Sequence, residues 1–547
     1  MERGLSMKKN SKIILIVILC LAVLVAAWVW FDNTHVRING KFYKLSAVEV
    51  VLSGEELPDA ELLKQMADLE VLDLRNIPLQ PEQYEKLHTE LPDCDILWQV
   101  PVFGGSYDNT MTALTATAVT AEDIKNVAYF SELKTVDATD CEDYDLLLAL
   151  QEMYPNAEII YTVSINGEAV RENTDTLVLG GESASDLLEA MGYLPELKHV
   201  DATNCSDYDT LNQIRIAYPE VALSYRLPVG QENWPSDTTE LTIHNAQASE
   251  LMHILPYFYA LTDVTLTGTV PDNETIYQMM CQYPDVIFQW EFSVHGVVTS
   301  STATELILSE IQMETVEEVE NALKYFYNLQ RVEMCQCGMP SEEMDALGKR
   351  HPDTRFVWSI PMGKGYLRTD AIAFIPYTYG FDFMGPCNDS QTRELKYCVD
   401  MVCLDLGHMR MKDLSFLENM PNLRYLILAD TQAKDYSPIA GLTELIFLEL
   451  FNSDFRDTEL LLNLTKLEDL NISWTSLKNP QVLKQMTWLD RLWATRIGLP
   501  DSENSKLKEA LPSTEVYTHG QHPTEGGWRQ AKNYYDMRDL LGMEYMQ

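Results

Sequence analysis

The sequence is poor in basic residues. Lys and Arg together number 40 against 83 Asp and Glu among 547 residues, which gives a formal net charge of -43. Proteins that bind nucleic acid neutralise phosphates with Lys and Arg, and anionic lipid surfaces attract the same side chains. The deficit therefore argues against a nucleic-acid partner and against binding to an anionic membrane surface.

Motifs that would indicate catalysis are missing as well. The sequence contains no G-x-x-x-x-G-K-[ST] phosphate loop, no H-E-x-x-H and no G-x-S-x-G. Its ten histidines are scattered, and the close pair His519 and His522 lies in a polar tail. We therefore expect a protein that is not an enzyme and that has no cofactor.

The sequence lacks a clear disulfide pattern. Nine of the ten lie after the apolar N-terminal run, and an odd number at wide spacing favours buried free thiols over a disulfide framework. One bridge among Cys387, Cys398 and Cys403 stays open as an alternative. Cys335 and Cys337 form a C-x-C pair with no second pair, which does not indicate a zinc site.

Only one long hydrophobic run occurs, at residues 13–31. Its length suits a membrane-spanning helix, and four basic residues precede it. The positive-inside rule then places residues 1–12 in the cytoplasm and the bulk of the chain outside, on a single-pass anchor in the cell membrane. A cleaved signal peptide is the alternative, but its apolar stretch is usually shorter, and Trp28 and Trp30 resemble an interfacial belt.

Repeats organise nearly all of the remaining sequence. The segment LKTVDATDC at 133–141 recurs as LKHVDATNC at 197–205, and the same frame begins at Leu69, Leu261 and Leu329. A helical pattern ends near a proline in each unit, and an alternating strand with a glycine turn follows. We predict that each long unit contains a strand, a helix, a second strand, a second helix and a hairpin.

A shorter period begins at Met401. The pattern L-x-x-L-x-L recurs every 22 residues, with its clearest copies at Leu423, Leu445 and Leu467 and weaker ones at Met401 and Leu489. Between the two periods, residues 364–400 carry an aromatic run that we expect to pack against the repeats as a junction. Its rings are Tyr366, Phe374, Tyr377, Tyr379, Phe381 and Phe383.

The 22-residue pattern resembles the leucine-rich-repeat family, in the bacterial type found in internalin-like surface proteins. The chain is also similar to uncharacterised membrane-anchored leucine-rich-repeat proteins of anaerobic Gram-positive bacteria, in segments such as WSIPMGKGYLRTD. The resemblance implies an α/β solenoid, curved, with parallel strands on its concave face. The family's ladder asparagine is replaced here by the following residues: Met409, Thr431, Ser453 and Thr475 in the short repeats, and Cys141, Cys205 and Cys337 in three long ones.

We therefore predict seven segments along the chain. They are a cytoplasmic tail (1–12), a transmembrane signal-anchor (13–31), a stalk with a first hairpin (32–47), five degenerate leucine-rich-like units (48–363), the aromatic junction (364–400), five 22-residue repeats (401–511) and a C-terminal cap or tail (512–547).

The candidate binding residues follow from strand geometry. In L-x-x-L-x-L the leucines face the core, so the intervening side chains point to the concave face. These are Asp405, Tyr425, Ile427, Phe447, Glu449, Phe451, Asp469, Asn471, Arg491 and Trp493. An exposed aromatic patch of this kind is typical of a protein interface. The alternative is that hairpins or the C-terminal tail cover it within the molecule.

The most favoured function is recognition or adhesion at the cell surface, with an extracellular protein as ligand. A cell-wall or glycan-binding protein, whose aromatic rings stack on sugars, and a structural spacer without a ligand are the alternatives. Acidic loops also allow a calcium site, because hard cations take oxygen ligands, although turn and helix-cap roles account for the same carboxylates. The loop residues are Asp137, Asp140, Asp143, Asp145, Asp201, Asp207 and Asp209.

Overall fold

A computed structural model describes residues 3–54, 56–376, 385–409 and 411–543, with side chains from residue 13 onward. The chain divides into two compact units. Unit 1 comprises residues 1–238 and 253–260, and unit 2 comprises residues 239–252 and 261–547. Four aromatic residues of the predicted junction, Tyr377, Tyr379, Phe381 and Phe383, lie outside the described residues.

The N-terminal helix runs from Arg3 to Asp32. Its part Ile13–Asp32 is long and apolar enough to cross a membrane, by length and composition alone. A hairpin follows at once, His35–Ile38 against Lys41–Lys44. Its turn residues Asn39 and Gly40 both have positive φ, as an Asn-Gly turn requires.

Unit 1 contains three parallel sheets of three strands each. Their strands are Glu49–Ser53, Val71–Asn76 and Asp95–Leu97; Ala113–Thr115, Thr135–Asp137 and Glu158–Ile160; and Thr176–Val178, His199–Asp201 and Ala222–Ser224. Each sheet leads into an antiparallel hairpin, namely Gln99–Val102 with Gly105–Asp108, Thr162–Ile165 with Glu168–Arg171, and Arg226–Val229 with Glu232–Pro235. Partner residues on adjacent parallel strands lie one coil apart, as Glu49 and Val71 do.

The α-helices of the long repeats lie between these strands. They are Ala60–Leu63, Pro81–Glu90, Ala121–Asn126, Tyr144–Met153, Ser185–Ala190, Tyr208–Ala217, Ala248–Ile254, Asn273–Gln282, Glu317–Ala322 and Ser341–Arg350. Short 3-10 helices follow several of them, at Val127–Tyr129, Met191–Tyr193, Leu255–Tyr257 and Leu323–Tyr325. The helices ending at Glu90, Met153 and Ala217 stop two residues before a proline, as expected.

Unit 2 begins with two further sheets of the same kind. The first has parallel strands Glu240–His244, Asp263–Thr267 and Ile287–Gln289, and the hairpin Glu291–Val294 with Val297–Ser300. The second has parallel strands Glu305–Ile307, Arg331–Met334 and Arg355–Met362, the last paired with Gly365–Arg368 in a hairpin.

The sequence predicts one strand after the proline of each long unit. In the first four units the structure has two strands there instead of one. A short parallel strand ends, one large aromatic residue intervenes, and the hairpin strand begins. The intervening residues, which we call corner residues, are Trp98, Tyr161, Tyr225 and Trp290, and all four are buried. In the fifth unit the corner residue Trp358 lies within the unbroken strand Arg355–Met362. The break exists because the chain turns from the sheet into the hairpin where the ring packs into the core.

A seven-stranded parallel sheet follows in unit 2. Its strands are Ala373–Phe374, Cys403–Asp405, Tyr425–Ile427, Phe447–Glu449, Asp469–Asn471, Arg491–Trp493 and Glu515–Tyr517. The first strand comes from the predicted junction and the last from the predicted tail. The chain returns between strands through helical turns at Asp389–Arg393, Glu394–Tyr397, Ser415–Asn419, Ser437–Gly441, Thr458–Leu461, Pro480–Gln485 and Asp501–Ala510.

Buried leucines form the core of this sheet, and small side chains fill the slot of the family's ladder asparagine. Leu426, Leu448 and Leu470 are fully buried. The Thr431 and Ser453 hydroxyls each donate to the carbonyl oxygen three residues earlier, at 2.7 Å. The hydroxyl thus bonds to a main-chain carbonyl of its own coil, and its own polar group is satisfied within the core. The predicted fold class is confirmed: the structure is an α/β leucine-rich-repeat solenoid with hairpins on its long repeats.

All ten cysteines are free thiols, and eight of them are buried. Cys141, Cys205 and Cys337 occupy the ladder slot, where each thiol lies near a carboxylate or carbonyl oxygen. Burial raises the pKa of each of these three thiols. They act as small apolar side chains of the core rather than as reactive groups.

Tyrosine hydroxyls join neighbouring coils. Each comes from a 3-10 helix and donates to a carboxylate at the start of the preceding ten-residue helix. The pairs are Tyr193 with Asp145 at 3.2 Å, Tyr257 with Asp209 at 2.7 Å and Tyr325 with Glu274 at 3.4 Å. The acceptor carboxylate raises the pKa of Tyr257 to about 12. Two of the aspartates considered for calcium binding therefore have structural partners.

Removing one of these hydroxyls tests their contribution to stability. Tyr257→Phe leaves the Asp209 carboxylate without its donor, and we expect a loss of about 1 kcal/mol. Hydrogen exchange of peptides covering 208–217 and 253–260 measures the loss locally, because repeat arrays need not unfold in one step. The control is Tyr259→Phe, since that exposed ring packs under Arg215 through its face. Equal exchange in the two variants would contradict the proposed role.

Candidate functional site

The ten candidate residues lie on one face of the seven-stranded sheet, and this face is covered. We call it the sheet face, and residues 518–543 the C-terminal segment. Asp405 and Arg491 are half-buried, and the other eight candidates are buried. Of the two alternatives that the sequence left open, the structure has the covered patch.

Aromatic packing accounts for most of this burial. Trp528 of the C-terminal segment is fully buried, with its ring centroid 5.1 Å from Phe447 and 5.4 Å from Trp493. Tyr534 lies 6.3 Å from Phe447. One hydrophobic cluster comprises Cys403, Tyr425, Ile427, Ala429, Phe447, Phe451, Trp493, Trp528, Tyr534 and Met537. Burying a large aromatic side chain contributes about 2 to 3 kcal/mol, so Trp528 is a principal anchor of the segment.

Side chains of the sheet face donate hydrogen bonds to main-chain carbonyls of the C-terminal segment. Asn471 Nδ2 donates to the Pro523 oxygen at 3.0 Å, Trp493 Nε1 to the Glu525 oxygen at 2.6 Å, and Arg491 Nη1 to the Trp528 oxygen at 3.2 Å. These contacts recognise a peptide backbone, whatever side chains it carries. The sheet face therefore has the chemistry of a peptide-binding surface.

Glu449 provides the side-chain contact at the centre of this surface. Its carboxylate is fully buried and accepts a hydrogen bond from the indole Nε1 of Trp528. Arg529 Nη2 lies 3.5 Å from the other carboxylate oxygen. An unpaired charge at this depth would cost several kcal/mol, so the Trp528-Arg529 dipeptide complements the carboxylate.

A second buried carboxylate belongs to Asp469. It is paired with Arg491, whose Nε lies 2.7 Å from Asp469 Oδ1. Asn533 Nδ2 donates to the remaining oxygen of Asp469 at 3.0 Å and to Glu468 at 2.8 Å. The Arg491 guanidinium also lies 4.9 Å above the Trp528 ring. The charged pair thus packs directly against the C-terminal segment.

Asp405 lies at the edge of the site. Its Oδ1 accepts a hydrogen bond from the Gly407 amide at 2.9 Å. Desolvation is the main effect on the pKa of Asp405 and raises it to about 6. The hydrogen bond from the Gly407 amide lowers this pKa, and the nearby negative charge of Glu449 adds a smaller increase. This carboxylate is therefore less stable in its ionised form at neutral pH than an exposed aspartate is.

Sequence reasoning identified the sheet side of the site and gave the C-terminal tail as one possible cover, but it did not predict which residues of the tail make the contacts. Trp528, Arg529, Asn533, Tyr534 and Met537 all come from a region that the sequence suggested was a cap on the last coil. The signal available was an amphipathic pattern in 532–540, which the structure has as the helix Lys532–Leu540. That pattern predicts a buried side for the helix but does not say which surface buries it.

The acidic loops accept hydrogen bonds. Asp137 and Asp201 accept from the amides of Thr139 and Thr203, and Asp207 accepts from the Ala184 amide. Among the residues that the structure describes, no three His, Cys, Asp or Glu side chains lie close enough together to hold a metal ion. The turn and helix-cap reading accounts for these carboxylates.

No family model matches the sequence, and no curated protein matches it. The chain is similar to leucine-rich-repeat proteins of known structure. An internalin from Listeria monocytogenes aligns at 12% identity over 88% of this chain and 91% of that chain, with a TM-score of 0.22. A leucine-rich-repeat protein from Leptospira interrogans aligns at 13% identity over 86% and 96%, with a TM-score of 0.21.

The leucine-rich-repeat ectodomain of a plant membrane receptor kinase from Arabidopsis thaliana aligns at 11% identity over 85% of this chain and 57% of that chain, with a TM-score of 0.19. At such TM-scores these alignments carry no argument about function. The assignment of the fold rests on the strands, coils and leucine core of this chain.

Asp405 allows a test of the site by pH. Its raised pKa means that the folded chain keeps a proton that the unfolded chain loses between about pH 4 and 6, so its contribution to stability falls as the pH rises through that range. Asp405→Asn keeps the acceptor for the Gly407 amide. We expect it to stabilise the protein by about 1 to 3 kcal/mol at pH 7.5, with the gain disappearing near pH 4.

Thermal unfolding between pH 4 and 8 measures this effect. The control of opposite sign is Asp413→Asn, because hydrogen bonding to Arg393 lowers the pKa of Asp413 to about 2. That variant should lose stability at pH 7.5. A destabilised Asp405→Asn at pH 7.5 would show that the Asp405 carboxylate is not held in an unfavourable environment.

Proposed function

We propose that this chain is a membrane-anchored cell-surface protein that recognises a protein ligand through the sheet face. The C-terminal segment occupies that face and acts as an intramolecular ligand, which an external ligand displaces. The observation that carries the proposal is the set of sheet side chains, Asn471, Arg491 and Trp493, whose donors meet main-chain carbonyls. These three donors point toward the strand side of the sheet, where the C-terminal segment supplies their acceptors.

The N-terminal helix supports the location. Ile13–Asp32 is long and apolar enough to span a bilayer, and the basic residues before it favour a cytoplasmic N-terminus. Large acidic domains after such an anchor stay soluble outside the membrane. The repeats would then lie on the outer side, where an extracellular protein can reach them.

The C-terminal segment indicates what the ligand presents. Glu449 accepts from an indole N–H, and a guanidinium lies next to it. Phe447 and Trp493 pack on either side of the indole. A matching ligand carries an exposed segment with an aromatic residue followed by Arg, in an extended or turn conformation that leaves its carbonyls free.

An external ligand must displace the C-terminal segment, and this sets a minimum affinity for the ligand. A tethered segment competes at an effective concentration in the millimolar range, so an external ligand must bind more tightly than the free segment would. The buried carboxylate of Glu449 lies under the segment, and opening the site returns it to water. The cost of burying this group partly offsets the gain from aromatic packing, which makes exchange feasible.

The glycan-stacking alternative is less well supported at this face. Tyr425, Phe447 and Trp493 would have to stack on sugar rings, yet each is buried against the C-terminal segment or its neighbours. A saccharide also offers no counterpart for the aromatic and cationic side chains that Glu449 contacts. Protein recognition explains more of the contacts.

Releasing the segment tests the proposal. In the full-length chain, Trp528→Ala with Arg529→Ala removes the two side chains that complement Glu449. We expect the sheet face to open and to bind a fluorescent peptide of residues 518–543 at least about tenfold more tightly than the wild-type chain does. Fluorescence anisotropy in detergent measures the binding, and circular dichroism verifies the fold.

The controls separate opening of the face from general destabilisation. Lys532→Ala changes an exposed side chain of the same segment and should leave the face closed. A peptide with the same two alanines should not bind the open variant. If the double variant keeps its fold and binds no more wild-type peptide than the unaltered chain does, the sheet face is not a peptide-binding surface.

A further inference from the structure

The five corners of the long repeats differ in the helix that lies next to them. Each corner residue packs near a ten-residue helix that begins 17 positions earlier, as Trp358 does near Ser341–Arg350. The first four helices each carry a tyrosine, and the fifth, SEEMDALGKR, has no aromatic residue. The tyrosines are Tyr84, Tyr144, Tyr208 and Tyr277.

In the first three repeats the tyrosine of the helix packs against the corner residue. The Tyr84 ring stacks on Trp98 at 4.7 Å, and Tyr144 and Tyr208 lie 6.2 and 6.4 Å from Tyr161 and Tyr225. At the fourth corner, Asn273 accepts a hydrogen bond from Trp290 Nε1 at 2.9 Å. The Tyr277 ring lies 6.1 Å from Tyr325, which in turn lies 6.3 Å from Trp290. Asp345 occupies the helix position that corresponds to Tyr277, so the fifth helix has no ring at this position.

A cleft of about 490 Å³ lies at the fifth corner. Trp358 and Tyr397 contribute its aromatic wall, with ring centroids 5.4 Å apart. Trp358 is more than nine-tenths buried, and its indole N–H has no hydrogen-bond partner within the described part of the chain. A buried donor without a partner is costly, and a bound acceptor would remove that cost.

The rim of the cleft is basic in a strongly acidic protein. Lys349, Arg355 and Lys396 line it, with Asp345 as the acidic lining residue. Lys349 pairs with Asp345, and Arg355 pairs with Asp400. The Lys396 ammonium lies 4.6 Å above the Tyr397 ring and makes no ion pair among the residues described. It is therefore available to an anion.

We propose that this cleft binds an anionic sugar, a pyranose that carries a carboxylate. The ring would occupy the space that a tyrosine fills at the earlier corners, next to Tyr397. The carboxylate would pair with Lys396, and sugar hydroxyls would contact Asp345 and the Asn419 amide. The indole N–H of Trp358 supplies a further donor. The volume suits a mono- or disaccharide.

The polar lining of the cleft favours a sugar over a planar aromatic acid. Its lining presents several polar side chains that can exchange hydrogen bonds with hydroxyl groups, among them Asp345 and Asn419. A planar aromatic carboxylate would satisfy Lys396 but would leave those groups without partners. This site is independent of the sheet face, so its test does not depend on the protein-recognition proposal.

Titration of the full-length chain with glucuronate tests the site, with glucose and benzoate as comparison ligands. We expect millimolar or tighter binding of glucuronate by saturation-transfer NMR and weaker binding of both others. Lys396→Gln should weaken glucuronate binding about tenfold, because it removes the charge-assisted contact. Asp345→Tyr should abolish binding, because Asp345 lines the cleft and a larger ring at this position fills it.

The control is Lys466→Gln, an exposed lysine paired with Glu444 elsewhere in the same unit, which should bind glucuronate as the wild-type chain does. Folding of Asp345→Tyr is verified by circular dichroism, and Lys396→Gln alters only a rim side chain. Absent binding to the wild-type chain, or equal binding by Lys396→Gln, would overturn the proposal. Tighter binding of benzoate than of glucuronate would overturn the assignment to a sugar.

Discussion

The burial of Trp528 against the seven-stranded sheet determines how the C-terminal part of the molecule can work. Its ring packs between Phe447 and Trp493, and its N–H meets the buried carboxylate of Glu449. In a stack of such coils the leucines are buried inside the stack. The outward face of the sheet, in contrast, has no neighbouring coil to cover it. Aromatic residues on this face need a cover, and the C-terminal segment provides it.

The polar groups under the segment are arranged to suit a peptide. Asp469 and Arg491 compensate one another, while Asn471 and Trp493 have donors left over for carbonyl groups. An apolar cover would leave these donors unsatisfied, at a cost of about 1 to 3 kcal/mol each. The groups that hold the segment in place are the same ones through which we propose that the surface binds a peptide.

Much of the fold was predictable because the length of each repeat can be read from the residues that recur in the sequence. The alternation of Leu426 with Tyr425 and Ile427 fixed which side chains face the core, and the prolines marked the helix ends. The corner residues were not predicted, since the split of one strand into two depends on how Trp98 or Tyr225 packs in three dimensions. The contact between 518–543 and the sheet face was also beyond local pattern. It joins residues about eighty positions apart, such as Glu449 and Trp528, and no repeat carries that pairing.

Repetition also explains why the cleft at Trp358 is visible at all. At the first three corners a helix tyrosine packs against the corner residue, whereas the helix Ser341–Arg350 at the fifth corner carries no aromatic residue. Comparing the repeats of one chain thus separates positions where an aromatic ring is needed for packing from Asp345, where no ring is present. The basic side chains on the rim of the cleft, Lys396 among them, are the basis for the proposed anionic ligand.

The central claim is that the C-terminal segment covers the sheet face in the resting protein, and the reactivity of Cys403 tests it most directly. The Cys403 thiol is fully buried, lies 3.8 Å from the Met537 carbonyl oxygen, and has a pKa raised by desolvation. Alkylation of Cys403 is followed by peptide mass spectrometry, with exposed Cys281 as the internal reference. We predict that Cys403 is protected in the intact chain and becomes reactive when Trp528 and Arg529 are replaced by alanine. Equal alkylation of Cys403 and Cys281 in the intact chain would contradict the account.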